Sequence, residues 1–203
     1  MNPTADESLI FSCRIARTEN ECSRYFSLRR EIFCAEQGLF ASDDRDAWDG
    51  LATPIVCLAA SPRDNPGAVP RLAGVVRIWE EAPGDWWGGR LGVAAEFRTA
   101  AVVGRRLIQH AVGTARAWGA WRFRATVQKP NVAFFRRLRW DSIGQLELLG
   151  RPHDLMEACL DRYVPTGEIR GVPGIAGQVA AKGSKGEGKG ERSSAELSGR
   201  DAA

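Results

Sequence analysis

The sequence has few of the residues that build metal sites or disulfide frameworks. Its 203 residues include two histidines and five widely spaced cysteines, and no C-x-x-C pair occurs. An odd number of scattered cysteines argues against a disulfide framework and against a zinc cage. We therefore expect no metal site and no cross-linked scaffold.

Long hydrophobic runs and a strong charge of one sign are also missing. No apolar run approaches the roughly 18 residues that a membrane span needs, and the polar start MNPTADESL lacks the apolar centre of a signal peptide. The net charge is +3 and the arginines are scattered, which is too little for a nucleic-acid surface. These absences predict a cytoplasmic protein that binds neither nucleic acid nor a membrane.

The composition is sufficient for one sizeable core, since 44% of the residues are hydrophobic and 26% are charged. From about residue 165 the chain turns to glycine, serine and mixed charge, without aromatic residues. Such a segment buries too little apolar surface to offset its ordering entropy. We predict an N-terminal tail over 1–8, one domain over 9–164 and a disordered tail over 165–203.

Apolar periods close to two and close to 3.6 alternate along the domain, which predicts strands and helices in turn. Strands are predicted at FSCRIAR, IVCLAA, RLAGVVRIWEE, WWGGRLGVAA, RFRATVQ, DSIGQLELL and HDLMEACLD. Helices are predicted at TENECSRYFSLRREIFCAEQ, over 96–118 and at NVAFFRRL. The order β-α-(α)-β-β-β-α-β-α-β-β predicts an α/β fold, with a mixed sheet and helices on both faces.

The stretch EFRTAAVVGRRLIQHAV, residues 96–112, lies where a strand runs into a helix start. Unpaired backbone N–H groups and the helix dipole can hold an anion at such a place. Gly104 permits close approach, and Arg98, Arg105 and Arg106 offer charge for phosphate oxygens. An amphipathic helix with a solvated basic face fits the same letters, and a lone glycine motif leaves both interpretations open.

The wider context resembles the GNAT superfamily of acyl-CoA-dependent N-acyltransferases: the stretch is followed by a strand ending in VQ and a short helix ending in LRW. In that family the backbone amides of a Q/R-x-x-G-x-G/A motif hold the coenzyme A pyrophosphate. Matching GRRLI to the family's G-x-x-L-I ending puts Gly104 on the last glycine, Val102 on the first and Thr99 on the Q/R position. Arg98 then falls one residue early, so either the loop carries an irregularity or the register shifts by one.

Two more stretches carry the resemblance over about residues 10–160. LRREIFCAEQGLFASDDRDAWDG is similar to the LR-x-x-VF…EQ…D-x-x-D segment of a small bacterial GNAT branch and of the acyl-homoserine-lactone synthases. GRPHDLMEACL is similar to the G-x-P-H-x-x-M strand of that small branch. The resemblance implies a mostly antiparallel sheet with one splayed parallel pair. The substrate-side residues that these segments and the tryptophans suggest are Arg29, Phe33, Asp46, Asp49, Arg77 and Trp86.

The resemblance also implies residues for the acyl donor. Backbone groups at Leu91 to Val93 would polarise the thioester carbonyl and pair with the pantetheine arm. Phe135 stands where the family usually has a tyrosine acid, and a phenyl ring cannot donate a proton; thiolate protonation then falls to water, or the protein does not acetylate at all. The cofactor-binding residues implied are Leu91, Val93, Arg98, Thr99, Val103, Gly104, Arg105, Arg106, Gln128, Asn131 and Phe135.

Acyl transfer to an amine also needs a group that takes the amine's proton. Carboxylates with suitable positions are Glu36, Asp46, Asp49, Glu80, Glu81 and Glu96. We favour Glu36, which has the family spacing, or Glu80, whose pKa would rise through partial burial beside Trp79. His153, in the closing strand, is interpreted as a hydrogen-bonded structural histidine.

These observations predict an N-acyltransferase that moves an acetyl or other acyl group from acyl-CoA to a small-molecule amine by direct attack. Two alternatives remain: an acyltransferase like the acyl-homoserine-lactone synthases, and a non-catalytic acyl-CoA-binding domain. An exposed strand in a small mixed sheet also suggests a homodimer.

Overall fold

The computed structural model describes residues 9–170, which form a single seven-stranded sheet with helices on both faces. The strands are β1 Ile10–Ile15, β2 Thr53–Ala60, β3 Arg71–Ala82, β4 Asp85–Val93, β5 Arg122–Gln128, β6 Trp140–Leu148 and β7 Arg151–Ala158. The α-helices are α1 Glu19–Arg30, α2 Val102–Ala117 and α3 Val132–Arg137. The predicted order of strands and helices and the mixed α/β fold are confirmed.

The sheet is mostly antiparallel. Its strands lie in the order β1-β2-β3-β4-β5-β7-β6, and β4 and β5 are the parallel neighbours. Alternate residues of β2 divide between two cores: Ile55 and Cys57 pack in the core that includes α2, and Val56 and Leu58 pack in the core that includes α1. Because successive side chains of a strand point to opposite faces, α1 and α2 cover opposite faces of the sheet.

Helix α1 begins at a capping box, in which Thr18 accepts from the N–H of Glu21 while the Glu21 side chain returns to the backbone of Thr18. The helix continues without a break into a π-helical segment, Glu31–Glu36. There the N–H of Gln37 donates to the carbonyl of Ile32 at 3.0 Å, the i to i+5 spacing of a π-helix. This extension carries Glu36 and Gln37 beyond the end of α1, toward the middle of the sheet.

The parallel pair separates soon after it forms. Asp85–Trp87 of β4 pair with Arg122–Arg124 of β5, and the described ladder between the two strands ends there. Further along β4, Gly89 pairs with Arg77 and Gly92 with Val75, so two residues, Arg90 and Leu91, stand opposite one residue of β3. Arg90 takes a φ of 55° in this β-bulge. The bulge and the missing ladder leave the ends of β4 and β5 apart, which is the splayed pair that the resemblance implied.

The chain stays in contact with the domain beyond residue 164. The N–H of Thr166 donates to the carbonyl of Gly113 at 3.1 Å, and Glu168 accepts from the N–H of Ile15 at 3.2 Å and from Arg17 at 2.8 Å. Residues 165–170, which composition assigned to the tail, therefore pack against the sheet and α2. The remainder of the predicted tail and residues 1–8 lie outside the described residues. Across residues 9–170, no helix has the length and hydropathy needed to cross a membrane.

Candidate active site

A cleft of about 380 Å³ opens where β4 and β5 separate. Its walls come from the end of β4, the start of α2, the π-helical segment and α3. The described residues that line it are Ile32, Gln37, Leu91, Gly92, Val93, Phe97, Arg98, Ala101, Gly104, Asn131, Phe134 and Phe135. Six predicted donor-binding residues are therefore brought together: Leu91, Val93, Arg98, Gly104, Asn131 and Phe135.

The N-terminus of α2 faces this cleft. A 3₁₀ turn, Ala95–Ala100, follows β4, and Ala101 then takes a left-handed conformation with φ 41° before α2 begins. The N–H of Arg105 donates to the carbonyl of Ala101 at 3.1 Å and is the first intrahelical donor, so the N–H groups of Val102, Val103 and Gly104 have no intrahelical acceptor. Among the described residues no side chain caps this helix start. The chain therefore passes from β4 to α2 through a 3₁₀ turn and one left-handed residue.

The predicted basic residues around this loop point in different directions. Arg98 donates through Nε to the carbonyl of Val93 at 2.7 Å and through Nη2 to Glu36 at 2.6 Å, and it lines the cleft. Arg106 instead donates to the carbonyl of Phe11 on β1 at 2.9 Å. Arg105 and Thr99 are exposed beside the loop, outside the cleft lining. Of the three arginines, the structure thus brings only Arg98 into the cleft wall.

Val103 and Phe135 contribute apolar surface. Val103 is fully buried in the core under α2, so its contribution to the helix start is its backbone N–H. Phe135 separates the cleft from the core and packs edge-on against Trp140, with ring centroids 5.1 Å apart. The two tyrosines of the chain are elsewhere: Tyr25 contacts Arg29, and Tyr163 donates to the carbonyl of Leu138. No phenol lines the cleft among the described residues.

Gln128 does not line the cleft itself, but it contacts Gln37, which does. Its Nε2 donates to Oε1 of Gln37 at 3.2 Å, and Gln37 is part of the cleft wall. The backbone carbonyl of Gln37 also accepts from Arg151 at 2.9 Å. This set of contacts joins the end of the π-helical segment to β5 and β7.

Most of the predicted substrate-side residues form a separate buried group, which we call the ionic cluster. It contains three arginines and three aspartates: Arg29, Arg77, Arg90, Asp44, Asp46 and Asp49. Nε of Arg29 lies 2.7 Å from Asp44, Nη1 of Arg77 lies 3.0 Å from Asp49, and Nη2 of Arg90 lies 3.2 Å from Asp46. The side chains of Arg29 and Arg77 are 0% exposed, so these guanidinium groups are used by the cluster itself.

Contacts within the ionic cluster lower the pKa of Asp49. Burial by itself raises the pKa of Asp49, but the hydrogen bond from Arg29 and the charge of Arg77 outweigh burial and hold the pKa at about 2. Asp49 also accepts from the N–H of Asp46 at 3.0 Å, which fixes the D-x-x-D turn. Phe33 is buried beside the cluster, with the Arg90 guanidinium 5.9 Å from its ring centroid.

Glu80 and Trp86 lie at the other end of β3 and β4. They pair with each other, five residues before Leu91, which is roughly 17 Å along the strand from the cleft. Trp86 is buried against Trp118 with ring centroids 5.6 Å apart. The prediction that burial raises the pKa of Glu80 is wrong: a hydrogen bond from the N–H of Gly84 at 2.7 Å, aided by Arg170, lowers that pKa against the opposing effect of burial.

Solved structures share this arrangement of strands and helices. An acyl-CoA N-acyltransferase from Pseudomonas aeruginosa matches with a TM-score of 0.59 and 22% identity, over 75% of this chain and 100% of that chain. Escherichia coli ElaA matches with a TM-score of 0.59 and 18% identity, over 74% and 99% of the two chains. FeeM, an N-acyl amino acid synthase from uncultured soil microbes, matches with a TM-score of 0.58 and 16% identity, over 76% and 93%.

The fold is that of the GNAT acyltransferases. A scan against protein-family models and a search of curated proteins found no match. At these identities the likeness shows the fold alone.

Sequence reasoning missed part of the cleft lining. The unpredicted residues are Ile32, Gln37, Phe97, Ala101 and Phe134. Gln37 carried no local signal, since the π-helical continuation of α1 determines where that side chain lies.

Proposed function

We propose that this chain is an N-acyltransferase that takes an acyl group from acyl-CoA and transfers it to the amine of a small molecule. The observation that carries the proposal is the cleft between the separated ends of β4 and β5, with the uncapped N-terminus of α2 at its edge. Such a cleft offers backbone groups and a helix dipole to an anionic, extended ligand.

The helix start suits the pyrophosphate of coenzyme A. Three backbone N–H groups, those of Val102, Val103 and Gly104, lie in the first turn and add to the positive end of the helix dipole. Gly104 has no side chain to cover them; a Cβ there would meet Phe134 at 3.5 Å and Val93 at 3.9 Å, both ordinary contact distances. In this proposal Arg98 adds charge at the edge of the cleft, and Glu36 positions its guanidinium through the 2.6 Å contact.

The end of β4 suits the thioester arm. Leu91, Gly92 and Val93 have no described partner on β5, so their backbone edge faces the cleft. In this proposal that edge pairs with the pantetheine amides and polarises the thioester carbonyl, as pre-oriented N–H groups do for a developing oxyanion. Phe135 and Phe134 exclude water from the acyl group, and thiolate protonation comes from solvent because no phenol is at hand among the described residues.

The proposal is tested by measuring free-thiol release from acetyl-CoA and from longer acyl-CoAs with a panel of amines, together with calorimetry of coenzyme A binding. We expect binding and amine-dependent thiol release with at least one acyl-CoA. Tight binding without thiol release by any amine would instead support a non-catalytic acyl-CoA-binding domain. Absence of any coenzyme A binding would contradict the proposal.

The panel also decides between acceptors. Transfer to homoserine-lactone precursors with a lactone product would favour the acyltransferase type of the acyl-homoserine-lactone synthases, whereas simple amides from other amines would favour the general reaction. The cytoplasmic location and the homodimer stay predictions.

A further inference from the structure

His153 on β7 is a buried imidazole with one nitrogen unused. It is 1% exposed, and its Nδ1 lies 2.8 Å from the carbonyl oxygen of Arg151. A carbonyl oxygen can only accept, so Nδ1 carries the proton and Nε2 is assigned the lone pair. Nε2 has no hydrogen-bond partner within residues 9–170. Buried polar atoms are nearly always paired, so an oriented, unpaired basic nitrogen calls for an explanation.

The position of His153 connects it to the cleft. His153 pairs directly with Gln128 in the antiparallel β5–β7 ladder, so the two side chains lie on the same face. On that face Gln128 donates to Gln37, a residue of the cleft wall, at 3.2 Å. Arg151, two residues before His153, reaches the carbonyl of Gln37 at 2.9 Å. His153 therefore lies next to the polar contacts that join β5 and β7 to the π-helical segment, at the side of the cleft.

The charged groups on the neighbouring elements are engaged with other partners or exposed to solvent. Arg151 is bonded to Gln37, and Glu36 is bonded to Arg98 at 2.6 Å. On the other face of β7, Asp154 accepts from Lys129 at 2.7 Å. Glu147 of β6, next to the residue that pairs with His153, is exposed. Among these groups, Nε2 of His153 is the one that combines burial with an unused lone pair.

We propose that Nε2 of His153 accepts the proton of the acceptor amine, an inference that rests on the proposed N-acyltransferase function. In the step, the amine nitrogen forms a bond to the thioester carbonyl carbon, and the carbon–sulfur bond breaks. One proton passes from nitrogen to Nε2; the thiolate takes a proton from solvent, and the imidazolium returns its proton to solvent. The products are an amide and free coenzyme A. The acceptor replaces the Gln128–Gln37 hydrogen bond as it enters between β5 and the π-helical segment.

The carboxylates are less suited to this role. Glu36 already neutralises Arg98, so a proton on Glu36 would break that ion pair. Glu80 is roughly 17 Å away along the strand and is held in its charged form by Gly84 and Arg170. An imidazole with its Nδ1–H tied to a carbonyl has the orientation and the tautomer that a general base needs.

The test removes the proposed base and keeps the hydrogen bond that orients its side chain, the one to the carbonyl of Arg151. In His153→Asn the amide NH₂ group can still donate to the carbonyl of Arg151, but the lone pair at Nε2 is removed. We expect kcat to fall about 10²- to 10⁴-fold, as for loss of a general base, with coenzyme A affinity unchanged. The control is His110→Asn, since His110 lies on α2 beside Glu168, outside the cleft lining.

The outcomes separate this inference from the function on which it rests. If the wild-type chain releases no thiol with any amine, both proposals are overturned. If the wild type is active and His153→Asn keeps its kcat, only the role of His153 is overturned.

A measurement on the wild type covers the case of a variant that does not fold. Nitrogen-15 spectra of histidine-labelled protein, assigned with His110→Asn, should show Nδ1 protonated and Nε2 unprotonated. They should also show a change at Nε2 when coenzyme A and an amine acceptor are added together. A protonated Nε2, or no change at Nε2 under these conditions, would contradict the proposal.

Discussion

The ionic cluster and the cleft are two polar regions of one domain, and they differ in how their polar groups are used. In the cluster, three arginines and three aspartates are nearly enclosed and pair with one another. In the cleft, the polar contributions are few: backbone N–H groups at a helix start, Gln37, Asn131 and the Arg98–Glu36 pair at the rim. Charge is concentrated in the cluster, where each charged group faces one of opposite sign, whereas the helix start at the cleft has no side-chain cap.

The contrast indicates that the D-x-x-D pair, Asp46 and Asp49, has a structural use in this chain. Burying six charges without mutual pairing would be prohibitive, so the D-x-x-D pair and its arginines have to be read as a unit that holds the loop over 43–50 against α1 and the sheet. A ligand, by contrast, needs groups that lack partners until it arrives. The start of α2 at the cleft meets that condition because no side chain caps it, and His153 meets it through Nε2. In the cluster, Oδ1 of Asp44 and Nε of Arg77 have no hydrogen-bond partner, but every charged group there already has an oppositely charged neighbour.

The largest effect is expected from breaking the cluster. Arg77→Met takes one of two buried counter-charges from Asp46 and one of two from Asp49, and removal of one partner of a buried ion pair costs about 3–5 kcal/mol of unfolding free energy. Chemical denaturation measures the loss. Arg71→Met on the same strand is the matched control, because the Arg71–Glu96 pair is exposed and should cost less than about 1 kcal/mol. Equal losses of unfolding free energy in the two variants would show that the buried cluster stabilises the fold no more than an exposed ion pair does.

Acid should weaken the cluster while leaving the cleft intact at first. The folded-state pKa of Asp49, about 2, is below its ordinary value of 3.8, so its stabilising contribution is fully present above about pH 4. That contribution is lost as the pH falls from about 4 toward 2. Unfolding free energy measured over this range should decline less steeply in Asp49→Asn than in the wild type. Identical slopes of unfolding free energy against pH in the two proteins would show that Asp49 does not cause the loss of stability in acid.

A smaller effect is expected from adding a charge to the cleft. Gly104→Glu puts a carboxylate at the helix start, where it competes with the coenzyme pyrophosphate for the same N–H groups. We expect coenzyme A affinity to fall at least about tenfold, or about 1.4 kcal/mol, in calorimetry. The fold should hold, because a Cβ at position 104 meets Phe134 and Val93 only at ordinary contact distances.

Gln109→Glu supplies the control for that charge. It adds the same carboxylate on an exposed position of α2, away from the cleft lining, and should leave affinity unchanged. Unchanged affinity in Gly104→Glu would return the stretch over 96–112 to the alternative interpretation, an amphipathic helix with a solvated basic face.

Much of the fold could be predicted from the sequence because its signals are local. The alternation of periods near two and near 3.6 identifies each strand and helix, and Thr18 with Glu21 marks the start of α1 through a three-residue spacing. The turn over 95–101 could not be predicted in the same way. Its 3₁₀ geometry and the left-handed Ala101 depend on how β4 ends against the rest of the sheet.

The site was harder to predict, because its contacts join residues far apart in the chain. Arg29, Asp46, Asp49 and Arg77 could be singled out by spacing, yet nothing local shows that Asp44 and Arg90 complete a buried, neutral cluster around them. The same holds for the unpaired Nε2 of His153, which follows from the ladder with Gln128 and the packing above it.

The central claim, that the cleft binds the acyl donor and the ionic cluster does not, is tested most directly by nuclear magnetic resonance on nitrogen-15-labelled protein titrated with coenzyme A. We predict that the backbone signals of Gly92, Gly104 and Asn131 shift with saturation, while the guanidinium signals of Arg29 and Arg77 stay in place. Shifts at the two arginines with an unchanged cleft, or no shifts at any coenzyme A concentration, would contradict the account.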